Sequence, residues 1–436
     1  MMRMFMHRPH RLVPIIWCFL FLGVVWHPLR EGWQYNRWSL AFLRAQREGN
    51  VLALPMPSAT HPAAPIWMVS WALVHHQSDQ LSPLWEQRLQ KIASFPVAAT
   101  LLGKLYYQKG DWAAALTQWQ TAGDTEALRL AAHRSEQQGK ATWAYRFLYA
   151  AYRLDPDTGT MALVNYLVRQ QHYLEAISIL QEAIQQNPQS PSITQWRISV
   201  GDLWRTKLND CERAEAAYRQ VFVSPSSVVG HSLSRLLALV QKPDPYWLMR
   251  AFLGVGWCRY QAEDWVGAKQ WFQKAVATEP QRGDGYFAMA RLMTTQGTIE
   301  EAEKWYRAAV QYNPQARWWW LVWANAHRDA PQPDLAGAIG LYAEIARRFP
   351  RWSPVYAQWA WALHLAGDDR DAALRMQQAI YLSSAPSVTD WLRLGFFWER
   401  SGRKEHAVSA YKHALQLDPD NAQAMQALRR LQQHYP

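Results

Sequence analysis

The chain has 436 residues, of which 49% are apolar, 13% aromatic and 19% charged; this is the composition of a folded protein and excludes a disordered or low-complexity chain. Its formal charge of +11 comes from 46 Lys and Arg against 35 Asp and Glu, spread along the sequence without a basic run. That balance gives a positive surface but none of the modules that read nucleic acid.

Residues 12–29 read LVPIIWCFLFLGVVWHPL and contain no Lys, Arg, Asp or Glu. As a helix rising about 1.5 Å per residue they reach about 27 Å, the depth of a bilayer core. Arg3, Arg8 and Arg11 precede the run, which favours an inside N-terminus and an extracytoplasmic remainder, although Arg30, Arg37 and Arg44 follow. A cleaved signal peptide is the competing reading. It needs small residues close behind the apolar run, where this chain has Trp26, His27, Pro28 and Leu29; Ser39-Leu40-Ala41 lies too far along, and Trp17 before Cys18 spoils a lipoprotein-type site. An uncleaved, single-pass anchor is therefore expected. Residues 33–48, with Trp33, Trp38, Leu40, Phe42 and Leu43, form an amphipathic helix suited to the headgroup level. Residues 1–49 thus make an anchor and juxtamembrane segment, and 50–65, with Pro55, Pro57, Pro62 and Pro65, a linker. Two further apolar-periodic helices fall in 66–95, with Trp67, Trp71 and Trp85, and read as a degenerate first repeat.

Beyond them an alanine recurs at Ala115, Ala144, Ala176, Ala214, Ala268, Ala302, Ala338, Ala372 and Ala407, with steps of 34, 36, 34 and 35 residues in the C-terminal half. Four residues after each stands a bulky apolar residue (Trp119, Leu148, Leu180, Tyr218, Phe272, Tyr306, Tyr342, Met376, Tyr411), and seven after each, for the most part, another alanine. The spacing i, i+4, i+7 is one face of a helix. A fixed period of this length predicts stacked helical hairpins. One step, from Ala214 to Ala268, is 54 residues; the extra stretch, with an added helix near His231–Val240, separates a looser block at 66–226 from a regular block at 249–421, leaving 227–248 as the boundary. Residues 422–436, with Met425, Leu428 and Leu431, read as a capping helix.

The regular block resembles the tetratricopeptide repeat family, whose pattern runs aromatic, Leu-Gly, aromatic, Ala, aromatic, Ala and a closing Pro. Residues 388–421 carry it through Trp391, Leu394, Gly395, Trp398, Ala407, Tyr411, Ala414 and Pro419, and 283–316 through Tyr286, Met289, Ala290, Gly297, Ala302, Tyr306, Ala309 and Pro314. Residues 249–282 and 353–386 match less fully, and 317–352 insert two residues around Pro331 and Pro333; four looser units occupy 96–226. The resemblance implies an all-α fold, a right-handed superhelix of hairpins, here preceded by a single transmembrane helix. It also implies a binding surface on the first helix of each hairpin, at positions filled by Trp257, Tyr260, Phe287, Arg291, Trp318, Asn325, Arg328, Trp361, His364, Phe396 and Arg400. Aromatic residues interleaved with Arg suit an extended peptide or sugar rings. Of the carboxylate-clamp pattern only Asn165 and Asn325 have an echo, and the asparagine ladder of the sugar-transferase type is missing.

No chemistry-bearing motif emerges. HExxH, GxSxG and a phosphate loop are absent, and Gly254-Val255-Gly256 lacks a third glycine. His75-His76 and Asp368-Asp369 are adjacent pairs that diverge on a helix. Cys18, Cys211 and Cys258 form no close pair and no zinc spacing. The sequence therefore predicts no enzyme, cofactor or metal site. The expected function is a membrane-anchored scaffold that recruits protein partners of a membrane or cell-envelope complex, with the bilayer held through residues 12–29. A glycan-binding accessory of envelope polysaccharide assembly and a permanent structural subunit of a large membrane complex are the alternatives.

Overall fold

The computed structural model describes residues 64–74, 83–222 and 244–433. The expected anchor at 12–29, the amphipathic stretch at 33–48, nearly all of the 50–65 linker, His75-His76 and the added helix near 231–240 lie outside the described residues. Within them all regular structure is α-helical, and no helix is long and apolar enough to cross a membrane.

The chain divides into two units, Met1–Pro191 and Ser192–Pro436. In the first, α1 (Ala64–Val74) and α2 (Pro83–Gln90) precede three hairpins: α3 and α4 (Pro96–Gln108, Trp112–Ala122), α5 and α6 (Thr125–Gln137, Ala141–Leu154), α7 and α8 (Pro156–Arg169, Tyr173–Gln186). Met68, Val69, Trp85 and Leu89 pack on Leu101, Leu102 and Leu105 of α3, so the first two helices cover the open face of the first hairpin. The second unit holds α9 and α10 (Ile193–Thr206, Cys211–Phe222), α11 and α12 (Pro245–Gln261, Trp265–Thr278), α13 and α14 (Gly283–Thr295, Ile299–Tyr312), and α15 and α16 (Arg317–Arg328, Leu335–Arg348). It ends with α17 and α18 (Ser353–Leu365, Asp369–Leu382), α19 and α20 (Val388–Arg400, Lys404–Leu417) and α21 (Ala422–Gln433).

The period of the hairpins comes from two local signals. Aspartates begin many helices: Asp111, Asp124, Asp264, Asp334 and Asp368 each accept a hydrogen bond from the backbone N–H three residues on, which satisfies a donor that the first turn leaves open. The turn inside the hairpin needs a left-handed residue, supplied by Gly110, Gly139, Gly297, Gly367 and Gly402; Gln171, Asn209 and Glu263 take that conformation in three other hairpins. The hairpin with the Pro331–Pro333 insertion turns without one.

Every alanine of the ladder is fully buried, as are or nearly are all nine bulky residues that follow at i+4. The reason for the pairing is steric. A Cβ built on Gly103 would lie 2.4 Å from the Trp119 ring, one on Gly256 2.4 Å from Phe272, and one on Gly395 2.5 Å from Tyr411. The bulky residue of the second helix thus fills the space that a glycine opens on the first. Tyr218 does so twice, against Gly201 of its own hairpin and Gly254 of the next. Together with Ala214, Val221, Ala251 and Val255 it forms one buried cluster. The hairpins on either side of the long step therefore stack directly, and the division between units falls at Pro191–Ser192, ahead of the 227–248 segment that the sequence suggested. Helix α11 starts at Pro245, capped by Asp244, earlier than the expected repeat start at 249. At the far end Arg430 of α21 makes two hydrogen bonds to Glu399, at 3.0 and 2.8 Å. The cap buries Ala424, Ala427 and Leu431; Met425 and Leu428 are only half-buried.

Candidate binding face of the first helices

Of the eleven residues singled out by the sequence, four meet at the end of the second unit. Trp361 and His364 come from α17, Phe396 and Arg400 from α19. The His364 ring lies 5.3 Å from the Trp361 ring and 5.1 Å, edge to face, from Phe396. Its Nδ1 is 2.5 Å from Oδ1 of Asp369, the first residue of α18; a carboxylate there can only accept, so Nδ1 carries the proton and donates. Arg400 Nε stands 3.6 Å from the other Asp369 oxygen. Trp361 and Phe396 remain 39% and 38% exposed. The result is an apolar rim around a His–Asp–Arg centre.

Arg291 and Asn325 line a cavity of about 320 Å3 between α13, α15 and the inserted turn. Thr294, Asp329, Ala330 and Pro331 also contribute to its wall. Asn325 Oδ1 accepts from the Tyr342 hydroxyl at 2.6 Å, which leaves its amide N–H groups as donors. Arg291 forms no ion pair among the described residues. The Thr294 hydroxyl bonds the Ala290 carbonyl at 2.9 Å and meets the Tyr306 hydroxyl at 3.1 Å. A guanidinium and an amide facing one polar cavity suit a carboxylate or carbonyl oxygen.

Of the remaining candidates, Arg328 is buried, Trp257, Tyr260 and Phe287 pack on neighbouring rings, and Trp318 stays exposed. Arg328 is 9% exposed: it makes a two-pronged pair with Asp329 at 2.7 and 2.8 Å and donates to Gln358 Oε1 at 2.6 Å and to the Tyr342 hydroxyl at 3.2 Å. Trp257 packs edge to face on Phe272 and Tyr260, and the Tyr260 hydroxyl bonds Thr295. Phe287 stacks on Trp319 at 5.0 Å. Trp318 is 55% exposed, its ring set edge-on to Trp352 at 4.8 Å. Many tryptophan faces carry a cation: Arg317 over Trp352, Arg348 over Trp320, Arg375 over Trp359 and Lys274 over Trp271, at 5.1, 4.7, 4.1 and 4.0 Å. Part of the positive charge of the chain is thus placed on its excess of indole rings.

The ladder tyrosines reach through the hairpin to polar groups of the first helices. Tyr218 donates to Asp202 at 2.6 Å and Tyr411 to Glu399 at 3.0 Å. Burial pushes the phenols of Tyr218, Tyr306, Tyr342 and Tyr411 well above their ordinary range, so they stay protonated donors. Asp202 also takes Arg250 of the next hairpin at 2.8 Å.

Three features escaped the sequence reading. The first is the role of Asp369: the adjacent pair diverges as expected, Asp368 capping α18, but Asp369 holds His364. The insertion was visible as added length, but nothing marked it as a cavity wall. It is clasped by His327, whose Nδ1 lies 3.0 Å from Asp334 Oδ2 and whose Nε2 accepts from the Trp323 indole at 3.1 Å. The bond from the Gly337 backbone, reinforced by His327, holds the Asp334 carboxyl below its usual range. The third is that Cys211 and Cys258, far apart in sequence, come to one buried cluster between α10 and α11. Among the described residues no group of three or more His, Cys, Asp or Glu side chains is placed to hold a metal ion.

Stacked helical hairpins with a small-residue ladder define an α-solenoid. Sequence models described as tetratricopeptide repeats match residues 259–322 and 391–421, so the chain carries such repeats in those two stretches. A search of curated proteins finds no match. Among solved structures, the chain is similar to a tetratricopeptide repeat protein from Parabacteroides merdae (12% identity, 63% of this chain and 97% of that one, TM-score 0.38). It is also similar to the C-terminal part of a repeat-containing protein from Cytophaga hutchinsonii (16%, 61% and 98%, 0.44), and to yeast Tom70 (12%, 86% and 88%, 0.39).

Proposed function

We propose that this chain is a scaffold that binds an extended protein segment along the first helices of its C-terminal hairpins. The observation that carries this is the pairing of two unlike sites on one helix set: the Arg291–Asn325 cavity, with donors for an acidic or carbonyl oxygen, and the Trp361–His364–Phe396 patch, with an apolar rim. A segment with an acidic residue and an apolar side chain some repeats apart would engage both, and many such modest contacts suit a solenoid surface. We favour protein over glycan because Trp257 and Phe287 pack against other rings, which leaves Trp318 and Trp361 as the exposed tryptophans of the candidate set.

The proposal keeps residues 12–29 as a single-pass anchor, with the repeats on the extracytoplasmic side and the partner a component of a membrane or cell-envelope complex. Its support is the charge-free apolar run alone. Affinity purification of the full chain in mild detergent tests the binding reading: wild type should retain a partner protein that the Arg291→Ala, Trp361→Ala double variant loses. Equal recovery with both, or no partner with wild type, overturns it. Extraction of membranes at high pH tests the anchor, since the full chain should stay in the pellet and a chain lacking residues 1–49 should not.

A further inference from the structure

Cys211 opens α10 and is half-buried; Cys258 sits in the last turns of α11 and is 2% exposed. Helices α10 and α11 run antiparallel in a fixed register. Tyr218 meets Gly254, Glu215 Oε1 takes Arg259 at 2.6 Å, and Cys211 Sγ donates to Gln261 Oε1 at 2.9 Å. That register puts Cys211 over the turn that runs from Cys258 to Gln261. Cys258 belongs to one buried cluster with Ala214, Val255 and Tyr218, and Cys211 packs against that cluster. Two cysteines that face one another across packed helices can close to the disulfide bond length of about 2.05 Å by turning their side chains toward each other.

We propose that Cys211 and Cys258 are a redox-active pair that closes to a disulfide, stapling α10 to α11, the helices on either side of residues 223–243. The oxidant is an external disulfide of the glutathione type. The Cys211 thiolate, on the accessible side, attacks one of its sulfurs; that S–S bond breaks and one glutathione thiolate leaves. Cys258 then gives up its proton to solvent and attacks the Cys211 sulfur, forming the protein disulfide and releasing the second glutathione. Two protein thiols are oxidised and one external disulfide is reduced to two thiols. Burial, with Cys211 alongside, holds the Cys258 thiol protonated well above its ordinary range, so the second step is the slow one. The staple would be closed in an oxidising compartment and open in a reducing one.

The test uses the full chain carrying Cys18→Ser, equilibrated natively in glutathione buffers of rising oxidised fraction, then alkylated and digested. The expected product is a linked peptide pair containing Cys211 and Cys258, both thiols vanishing together. The oxidised protein should melt at a higher temperature than the reduced one, and Cys211→Ser, a change at the half-buried member, should abolish that shift. In Cys258→Ser the resolving thiol is gone, and Cys211 should persist as a mixed disulfide with glutathione. The inference is overturned if the native wild-type pair stays reduced in the most oxidising buffer, or if Cys211 keeps its glutathione while Cys258 remains alkylatable on unfolding.

Discussion

Replacing Gly254 with alanine puts a methyl group where the stack has no room for one. The added Cβ would lie 2.4 to 2.6 Å from three atoms of the Tyr218 ring. The ring cannot retreat: Gly201 leaves only the space of a hydrogen on the other side, at 2.5 to 2.7 Å, and the hydroxyl is fixed by Asp202 at 2.6 Å. Overpacking a rigid core costs about 1–3 kcal/mol, and a site closed on both sides belongs at the upper end. Alanine in place of glycine in a helix returns about 1 kcal/mol, so the net loss is about 2 kcal/mol, or about 4–8 °C in melting temperature for a unit of this size. Gly340, inside α16, is the internal control, because a Cβ there meets nothing within 4 Å; Gly340→Ala should stabilise by about 0.5–1 kcal/mol. Thermal unfolding followed by circular dichroism measures both. If Gly254→Ala stabilises the protein as Gly340→Ala does, the account of why the hairpins pack at this period is wrong.

Glu263 holds the left-handed turn position that glycine takes in most hairpins; Glu263→Gly should raise stability by about 1 kcal/mol, measurable by urea unfolding. Arg328→Ala removes the donor to Gln358 and one partner of Tyr342, and should cost about 1–3 kcal/mol; Arg328→Lys should not restore it, since lysine lacks the fork that pairs with Asp329. The Asp334 carboxyl is held below its ordinary value by Gly337 and His327. A lowered native value means stability that is present above the unfolded value and is lost as pH falls through the native one. The destabilisation caused by Asp334→Asn should therefore be full at neutral pH and shrink below pH 3.8, which a melting series against pH reads directly. Asp369→Asn should loosen His364 and Arg400 and weaken partner binding with little change in melting temperature.

The repeat was legible because it is a local property written nine times. A small residue and a bulky one four later recur on each second helix, in four hairpins a glycine on the preceding helix makes room for the bulky ring, and each copy confirms the register of the others. Ala115 to Ala407 and Tyr218 to Tyr411 sit where that argument puts them. The binding face was legible only as positions. Sequence spacing placed Arg291, Asn325, Arg328 and Trp361 on first helices, but whether a side chain is open or pinned depends on neighbours from other hairpins. Arg328 is pinned by Gln358 of the next first helix, whereas Arg291 shares a cavity with the inserted turn. The same limit hid the cysteine pair, since residues 211 and 258 become neighbours only when the long step between two repeats is bridged by direct stacking of α10 on α11.

The most direct test of the central claim is site-specific photo-cross-linking in cells that produce the protein. A photoreactive phenylalanine replaces Trp361 on a first helix or, as the control, Tyr381 on a second helix, which is 86% exposed. The account predicts a discrete protein adduct from position 361 and none from 381. Adducts of equal yield from both positions, or a carbohydrate adduct at 361 with no polypeptide, would contradict it.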